Sequence, residues 1–228
     1  RQRSCPLQIS QRTLCRSGLF RRHHYNEDVE NALLPAMGVE VFHNFTLLHD
    51  DIMDKAPLRR GQQTVHEKWN INTGILSGDA MLIMAYQCFE NYEPVVYQKL
   101  MKLFSKTALE VCEGQQLDVD FESRNDVTIG QYLKMITYKT SVLVAAAMKM
   151  GAIIAKVDDD EAEKIYDFGL NLGIAFQLQD DYLDAFGNPE TFGKQVGGDA
   201  VAQGVQGRRL RDPRHVFGRH EGAVQLAG

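Results

Sequence analysis

The chain has 228 residues, 44% of them hydrophobic, which is enough for one core of moderate size. The net charge of −5 gives no basic footprint for nucleic acid. No apolar run is long enough to span a membrane, no apolar stretch of a signal peptide is present, and the four cysteines lack the spacing of a metal or redox site. These features predict a cytoplasmic protein without stable membrane insertion.

The residue pattern is helical almost throughout. Asn26 is a predicted helix cap, Pro94 suits a first helical turn, and Thr128 with Gln131 forms a capping-box pattern. The predicted helices are 26–54, 74–91, 94–122, 128–155 and 158–187. No alternating strand pattern bounded by hairpin turns is found. We therefore expect an all-α fold, a single helical bundle around a central cavity.

Two aspartate-rich pentads of the same form lie far apart on this helical pattern. They are Asp50-Asp51-Ile-Met-Asp54 and Asp180-Asp181-Tyr-Leu-Asp184. In each pentad the first and last aspartates are four residues apart and share one helix face. Crowded carboxylates repel one another unless cations hold them, and Mg²⁺ with phosphate oxygens suits such a cluster. One acidic turn alone is typical of a solvated face, but two matching turns in apolar surroundings indicate a metal–diphosphate site.

Other polar residues extend both pentads. His43 lies seven residues before Asp50, on the same helix face. The adjacent Arg59 and Arg60 could be surface ion-pair partners, but such a pair is better suited to bidentate capture of phosphate oxygens. Gln177 continues the polar stripe of the second pentad. His66 and Glu67, further along the chain, are expected at the surface.

Several short motifs occur in a fixed order. They are His43-Asn-Phe-Thr-Leu-Leu-His-Asp-Asp-Ile-Met-Asp54, Leu-Arg-Arg-Gly61, Ser-Gly-Asp79, Gly-Gln-Gln-Leu-Asp118, Tyr-Lys-Thr140 and Phe-Gln-Leu-Gln-Asp-Asp-Tyr-Leu-Asp184. Their order resembles that of the trans-isoprenyl diphosphate synthases, or polyprenyl synthetases, of the short-chain farnesyl and geranylgeranyl type. The resemblance runs from about Asn26 to Lys194.

The resemblance implies a Mg²⁺-dependent, head-to-tail condensation of an allylic diphosphate with isopentenyl diphosphate. It implies three Mg²⁺ ions, bridged by the substrate and held by the aspartates of both pentads, and a homodimer formed through the long core helices. It also assigns roles to individual residues. The leaving diphosphate is assigned to Arg59, Lys139 and Lys194, the allylic cation to Thr140 and Gln177, and isopentenyl diphosphate to His43 and Arg60.

Product length is expected to depend on the residues just before the first pentad. Thr46 lies one turn before Asp50 on the same face, where a small residue leaves room, and Phe45 flanks that path. The pentad has no two-residue insertion. An aromatic residue at this position without the insertion resembles the geranylgeranyl diphosphate synthases, so that product is favoured, with farnesyl diphosphate next.

The two ends of the chain differ in composition from its middle. All eleven lysines lie between Lys55 and Lys194, whereas eleven of the fourteen arginines lie outside residues 25–194. We expect a synthase core at residues 25–198, flanked by atypical segments at 1–24 and 199–228. The basic motif that the family carries upstream and its helices downstream are not recognisable there, which predicts weak or absent chain elongation by the chain as written.

Other functions share part of this chemistry with the prenyl synthases. A class I terpene cyclase ionises the same substrates but carries a different second metal motif, and head-to-head synthases use other aspartate motifs. A defective or non-catalytic partner subunit would bind diphosphates without elongating them.

Overall fold

The computed structural model describes the backbone of residues 29–186 and the side chains of residues 31–182. A 3₁₀ turn, Val29–Ala32, leads into helix α1, Leu33–Met53. A small hairpin of β1, Leu58–Arg59, and β2, Gln62–Gln63, is followed by the short helix α2, Val65–Lys68. The longer elements are α3, Ile71–Gln87; α4, Pro94–Glu122; α5, Ile129–Ile136; α6, Val142–Ile154; and α7, Asp159–Phe186. A π-helical turn, Thr137–Ser141, joins α5 to α6.

Local capping signals explain where most of these helices begin. The predicted capping box is confirmed, because the Thr128 side chain accepts from the Gln131 backbone and the Gln131 side chain accepts from the Thr128 backbone. Asp158 accepts from the Glu161 backbone N–H at 2.9 Å and so caps α7. Asn70 caps α3, which therefore begins before residue 74, where the sequence pattern placed it. The predicted cap at Asn26 lies outside the described residues.

The hairpin after α1 is an element that the sequence pattern did not indicate. Arg59 pairs with Gln62, so Arg60 and Gly61 form a two-residue loop. Their φ angles are +52° and +77°, as a type I′ turn requires at both central positions. The hairpin has only two residues per strand, too few for an alternating pattern to show in the sequence. The all-α class is confirmed, since every other described element is helical.

The contacts divide the chain into two compact units. The described part of the first unit is residues 29–106 with 146–166, and that of the second is residues 107–145 with 167–186. In the first unit α1 packs on α3. Its buried aromatic centre includes Phe42, Phe89 and Phe104, with ring centroids 5.3 Å apart for Phe42 and Phe104 and 4.8 Å apart for Phe89 and Phe104. The second unit buries Phe121, Tyr132, Ile136, Val142 and Ala145.

Within the described residues, no helix combines the length and the apolar character that crossing a bilayer requires.

Candidate functional site

The first aspartate pentad forms the last turn of α1. Asp54 is the C-cap, and the next residue, Lys55, has a φ of +51°. The Lys55 N–H donates to the Ile52 carbonyl at 3.2 Å and the Ala56 N–H donates to the Asp51 carbonyl at 2.9 Å. This pair of bonds is a Schellman motif, which ends a helix and turns the chain away from its axis. The helix therefore ends at Met53, with the third aspartate of the pentad as its C-cap.

A buried threonine then fixes the base of the hairpin against the end of α1. The Thr64 hydroxyl donates to the Ala56 carbonyl at 2.7 Å, and the Thr64 N–H donates to the Pro57 carbonyl at 3.2 Å. Arg59 is the last residue of the first strand, two residues beyond Pro57 at this fixed base.

Arg59 makes a forked contact with the first two aspartates. Its Nε donates to Oδ1 of Asp51 at 2.7 Å, and its Nη2 donates to Oδ2 of Asp50 at 3.3 Å. Asp51 is only 6% exposed, and burial raises the pKa of its carboxyl group, while the Arg59 guanidinium opposes that rise. The charge of Arg59 thus offsets the repulsion between neighbouring carboxylates. The structure thus shows Arg59 as an ion-pair partner of this pentad, and its role in binding diphosphate stays a prediction.

His43 is buried, and its pKa is strongly lowered. Burial, with the charges of Arg60 and Arg59 adding to it and that of Asp50 opposing it, lowers the pKa of His43 from 6.5 to about 4. Its Nε2 is buried and has no hydrogen-bond partner within the described part of the chain. The imidazole is therefore neutral at pH 7 and can act as one donor and one acceptor.

The two residues expected to set product length lie on α1 as predicted. The Phe45 ring is buried, with its centroid 5.6 Å from that of Phe42 and 4.8 Å from that of His49. The Thr46 hydroxyl donates to the His43 carbonyl one turn earlier, at 2.8 Å. Both side chains are thus held by their own helix and its aromatic neighbours.

His66 corrects an expectation. Its side chain is only 7% exposed, although the sequence pattern placed it at the surface. Both of its ring nitrogens are buried without a hydrogen-bond partner among the described residues. Its neighbour Glu67 does lie at the surface, with half of its side chain exposed. A surface position for His66 was wrong because α2 is a single turn, too short for a periodic pattern to reveal its inner face.

A chain of hydrogen bonds leads to the second pentad, at the end of α7. The Thr140 hydroxyl donates to Oε1 of Gln177 at 3.1 Å, and Nε2 of Gln177 donates to Oδ1 of Asp181 at 2.8 Å. The Tyr132 hydroxyl donates to Oδ2 of the same carboxylate. Burial, the charge of Asp181 and this hydrogen bond together raise the pKa of Tyr132. Both oxygens of Asp181 therefore accept a hydrogen bond from a side chain of the second unit.

Lys139, next to Thr140, binds a second buried carboxylate. Its Nζ lies 2.6 Å from Oδ2 of Asp118, which is 7% exposed. Asp118 matches the family pattern but was not among the predicted catalytic residues. Neither Asp118 nor Tyr132 could be assigned a partner from spacing alone, because each contact joins residues more than twenty positions apart.

The structure thus brings the predicted residues together in two groups, one in each compact unit. The first unit holds His43, Arg59, Arg60 and the first pentad; the second holds Lys139, Thr140, Gln177 and the second pentad. The Arg60 side chain is exposed on the hairpin loop. Lys194 lies outside the described residues, and so does the side chain of Asp184.

The described residues fit a metal ion whose coordination shell is completed by oxygen atoms of the substrate. No three carboxylate, histidine or cysteine side chains in the described part of the chain converge closely enough to form a metal site of their own. Mg²⁺ commonly takes one or two protein carboxylates and fills its remaining positions with phosphate oxygens and water. The paired carboxylates of Asp50 and Asp51 in the first unit are oxygen ligands of this kind, and so, separately, is Asp181 in the second unit. Metal ligation by the six aspartates stays a prediction.

Comparison with known proteins places the chain in a family. The polyprenyl synthetase family model matches residues 5–205, so the chain belongs to the polyprenyl synthetase family, and its fold is the all-α isoprenoid synthase fold. This confirms the resemblance of the motifs. The match begins inside the segment that composition set apart at the N-terminus, and the domain boundaries at 24 and 198 stay a prediction.

Three similar proteins illustrate the relationship. A geranylgeranyl diphosphate synthase of Methanosarcina mazei is 45% identical over 76% of this chain and 54% of its own length. A crystal structure of a geranylgeranyl pyrophosphate synthase is 59% identical with a TM-score of 0.76, covering 85% of this chain and 62% of that one. A crystal structure of a polyprenyl synthase of Caulobacter crescentus, complexed with calcium and isoprenyl diphosphate, is 33% identical with a TM-score of 0.71. It covers 86% of this chain and 57% of that one. The chain spans about half the length of the curated relatives it matches.

Proposed function

We propose that this chain joins an allylic diphosphate to isopentenyl diphosphate, head to tail, and releases diphosphate. The hydrogen-bond chain from Thr140 through Gln177 to Asp181 carries the proposal. It connects an oxygen able to face a carbocation with a carboxylate of a predicted diphosphate-binding motif. The names of the similar proteins support the same reaction class.

The hydrogen bonding of Thr140 suits it to a developing cation. Its hydroxyl hydrogen is committed to Gln177, so the lone pairs of its oxygen remain for a positive charge. Gln177 is in turn oriented by Asp181, so both side chains are held before substrate arrives. Fixed dipoles of this kind stabilise charge that develops in a transition state without reorganising.

Cationic side chains are proposed to bind the leaving diphosphate. Arg59 and Lys139 are each held by a carboxylate, at 2.7 and 2.6 Å, and so are preorganised to receive phosphate oxygens. Bound Mg²⁺ would supply Lewis-acid neutralisation of the departing diphosphate, with the aspartates of both pentads as its protein ligands. We propose three ions bridged by the substrate, and calcium with isoprenyl diphosphate in the Caulobacter relative supports a divalent metal. A titration of Mn²⁺ with inorganic diphosphate, followed by electron paramagnetic resonance, would count them.

Isopentenyl diphosphate is assigned to His43 and Arg60. A neutral imidazole keeps one N–H for a phosphate oxygen, and burial keeps His43 neutral at pH 7. Arg60 presents its guanidinium from the exposed loop of the hairpin. Lys194 is proposed to add charge to the allylic diphosphate.

A labelled elongation assay tests the function. Radiolabelled isopentenyl diphosphate is supplied with dimethylallyl, geranyl or farnesyl diphosphate, with Mg²⁺ or with a chelator. We expect weak, Mg²⁺-dependent extension that is lost in Asp50→Asn and Asp180→Asn. The matched control is Asp126→Asn, since Asp126 is an exposed aspartate that pairs with the surface residue Arg124. Extension without metal, or unchanged extension in both pentad variants, would contradict the proposal.

We propose geranylgeranyl diphosphate as the product, with farnesyl diphosphate next. The buried Phe45 ring, backed by Phe42, is a bulky apolar obstacle one turn before the first pentad. Product identity follows from chromatography of the dephosphorylated products of the same assay.

We also propose a homodimer that uses the exposed face of α3. Leu76 and Ile83 lie seven residues apart on this helix and are 67% and 60% exposed, with Ile75 and Met84 beside them. A continuous apolar face of this kind is typical of an interface between subunits. Sedimentation should show a dimer for the wild type and a monomer for Leu76→Lys/Ile83→Lys, while Asn171→Lys, at an exposed position of α7, stays dimeric. A wild-type monomer at micromolar concentration would contradict the proposal.

A further inference from the structure

The π-helical turn between α5 and α6 is flanked by glycines from two other helices. A methyl group at Gly114 of α4 would lie 2.6 Å from the Tyr138 carbonyl carbon and 2.7 Å from Cα of Lys139. A methyl group at Gly173 of α7 would lie 2.7 Å from Cα of Ser141 and 2.8 Å from its Cβ. Real side chains do not approach backbone atoms so closely, so only glycine fits at either position.

The same two helices also hold the side chains of the turn. Asp118, four residues after Gly114 and therefore one turn further along the same face of α4, binds Nζ of Lys139 at 2.6 Å. Gln177, four residues after Gly173 on α7, accepts the Thr140 hydroxyl at 3.1 Å. Each helix thus presents a glycine to the backbone of the turn and, one helical turn later, a polar side chain to one of its functional residues.

The turn needs such support because its geometry is unfavourable alone. The Val142 N–H donates to the Thr137 carbonyl five residues back, and the Ser141 hydroxyl donates to the Ile136 carbonyl at 3.3 Å. A single π-helical turn inside α-helix is rare and often marks a functional site. Glycine in a helix also lowers stability relative to alanine, so two glycines at these contacts require a compensating reason.

We infer that Gly114 and Gly173 are positioning residues for Lys139 and Thr140. By admitting the backbone of the π-helical turn between α4 and α7, they place the Lys139 ammonium and the Thr140 hydroxyl within reach of Asp118 and Gln177. Neither glycine touches substrate; each acts through the residue that it positions. The catalytic roles of Lys139 and Thr140 in this inference rest on the proposed function. The support of the π-helical turn by the two glycines rests on geometry alone.

The first test measures the turn itself and needs no activity. Amide hydrogen exchange of peptides covering residues 132–145 is compared in the wild-type chain, Gly114→Ala, Gly173→Ala and Gly130→Ala. Gly130 is the matched control, because a methyl group there meets nothing within 4 Å. We expect exchange at residues 137–142 to be at least tenfold faster in the first two variants, with helical circular dichroism retained, and unchanged in the control. Unchanged exchange in folded Gly114→Ala and Gly173→Ala would overturn the inference.

The second test asks whether Gly114 acts through Lys139. Calorimetry gives the affinity for inorganic diphosphate with Mg²⁺ in Gly114→Ala, Lys139→Ala and the double variant. We expect each single variant to bind at least tenfold more weakly than wild type, and the double variant to bind no more weakly than Lys139→Ala. Additive losses would overturn the inference, because they would show that Gly114 acts elsewhere. A wild-type chain that binds diphosphate but does not elongate would contradict the proposed function, while these comparisons would still decide the role of the glycines.

Discussion

The Tyr132 hydroxyl donates a hydrogen bond to Oδ2 of Asp181, although the two residues lie 49 positions apart in the chain. The tyrosine comes from α5, immediately before the π-helical turn, and the aspartate from the last part of α7. Together with Gln177 it gives both oxygens of this carboxylate a donor. The second pentad is therefore oriented by residues outside its own helix as well as within it.

Replacing Tyr132 with phenylalanine should destabilise the protein. The ring would still fill its buried position, but Oδ2 of Asp181 would lose its donor. A hydrogen bond to a charged group contributes about 1.5–3 kcal/mol, and we expect the free energy of unfolding to fall by about that amount. Urea unfolding at pH 7 measures it, with Tyr97→Phe, at an exposed tyrosine of α4, as the control. Equal stability of the Tyr132 variant and wild type would contradict the assigned hydrogen bond.

Arg59→Lys tests the forked contact with the first pentad. Lysine keeps the charge but cannot make two directed bonds to Asp50 and Asp51 at once. In the proposed function Arg59 also binds the leaving diphosphate, and loss of one such charge-assisted bond corresponds to about a tenfold or larger decrease in affinity for Mg²⁺ diphosphate. Arg124→Lys is a close control, because Arg124 makes a similar fork to the exposed Asp126, at 2.8 and 3.0 Å. If both substitutions reduced the calorimetric affinity equally, the fork at Arg59 would have no special role.

The buried His43 should make stability depend on pH. Its pKa falls from 6.5 in the unfolded chain to about 4 in the fold, so the unfolded chain binds more protons between these values. The stabilisation is fully present above pH 6.5 and is lost as pH falls towards 4. We expect the free energy of unfolding to drop by about 2 kcal/mol between pH 7 and pH 5 from this group. His43→Gln, which cannot titrate, should remove this part of the pH dependence, and an unchanged profile would contradict it.

Phe45→Ala should lengthen the product. Removal of the ring leaves space beside Phe42 on the face that precedes the first pentad. We expect products longer than those of the wild-type chain in the same labelled assay, resolved by chromatography. Phe45→Leu, which keeps most of the volume, should shift the distribution less. An unchanged product from Phe45→Ala would mean that another residue limits chain length.

The sequence predicted those parts of the fold whose causes are local. The capping box at Thr128 and the spacing of the pentads are visible within a few residues, and helix Pro94–Glu122 was predicted with the bounds that the structure has. The family was also predicted correctly, because its motifs lie in order along the chain.

What the sequence did not reveal depends on distant residues. Residues 128–155 have a helical pattern throughout, yet the structure interrupts them with the π-helical turn, because Gly114 and Gly173 admit its backbone. Nothing within the segment signals this. The contact of Lys139 with Asp118 also depends on distant residues. Both residues belong to motifs of the sequence, but only the packing of α4 against the turn shows that they form a pair.

The bonds that join Thr140, Gln177 and Asp181 have a practical consequence for redesign of this enzyme family. A donor at one link fixes which atom must accept at the next, so a change at Thr140 dictates which side chains position 177 tolerates. In libraries that vary one of these positions at a time, most variants would place two donors or two acceptors opposite each other. Varying residues 140 and 177 together, while keeping Asp181 and the direction of donation, changes this part of the site with the acidic motif intact.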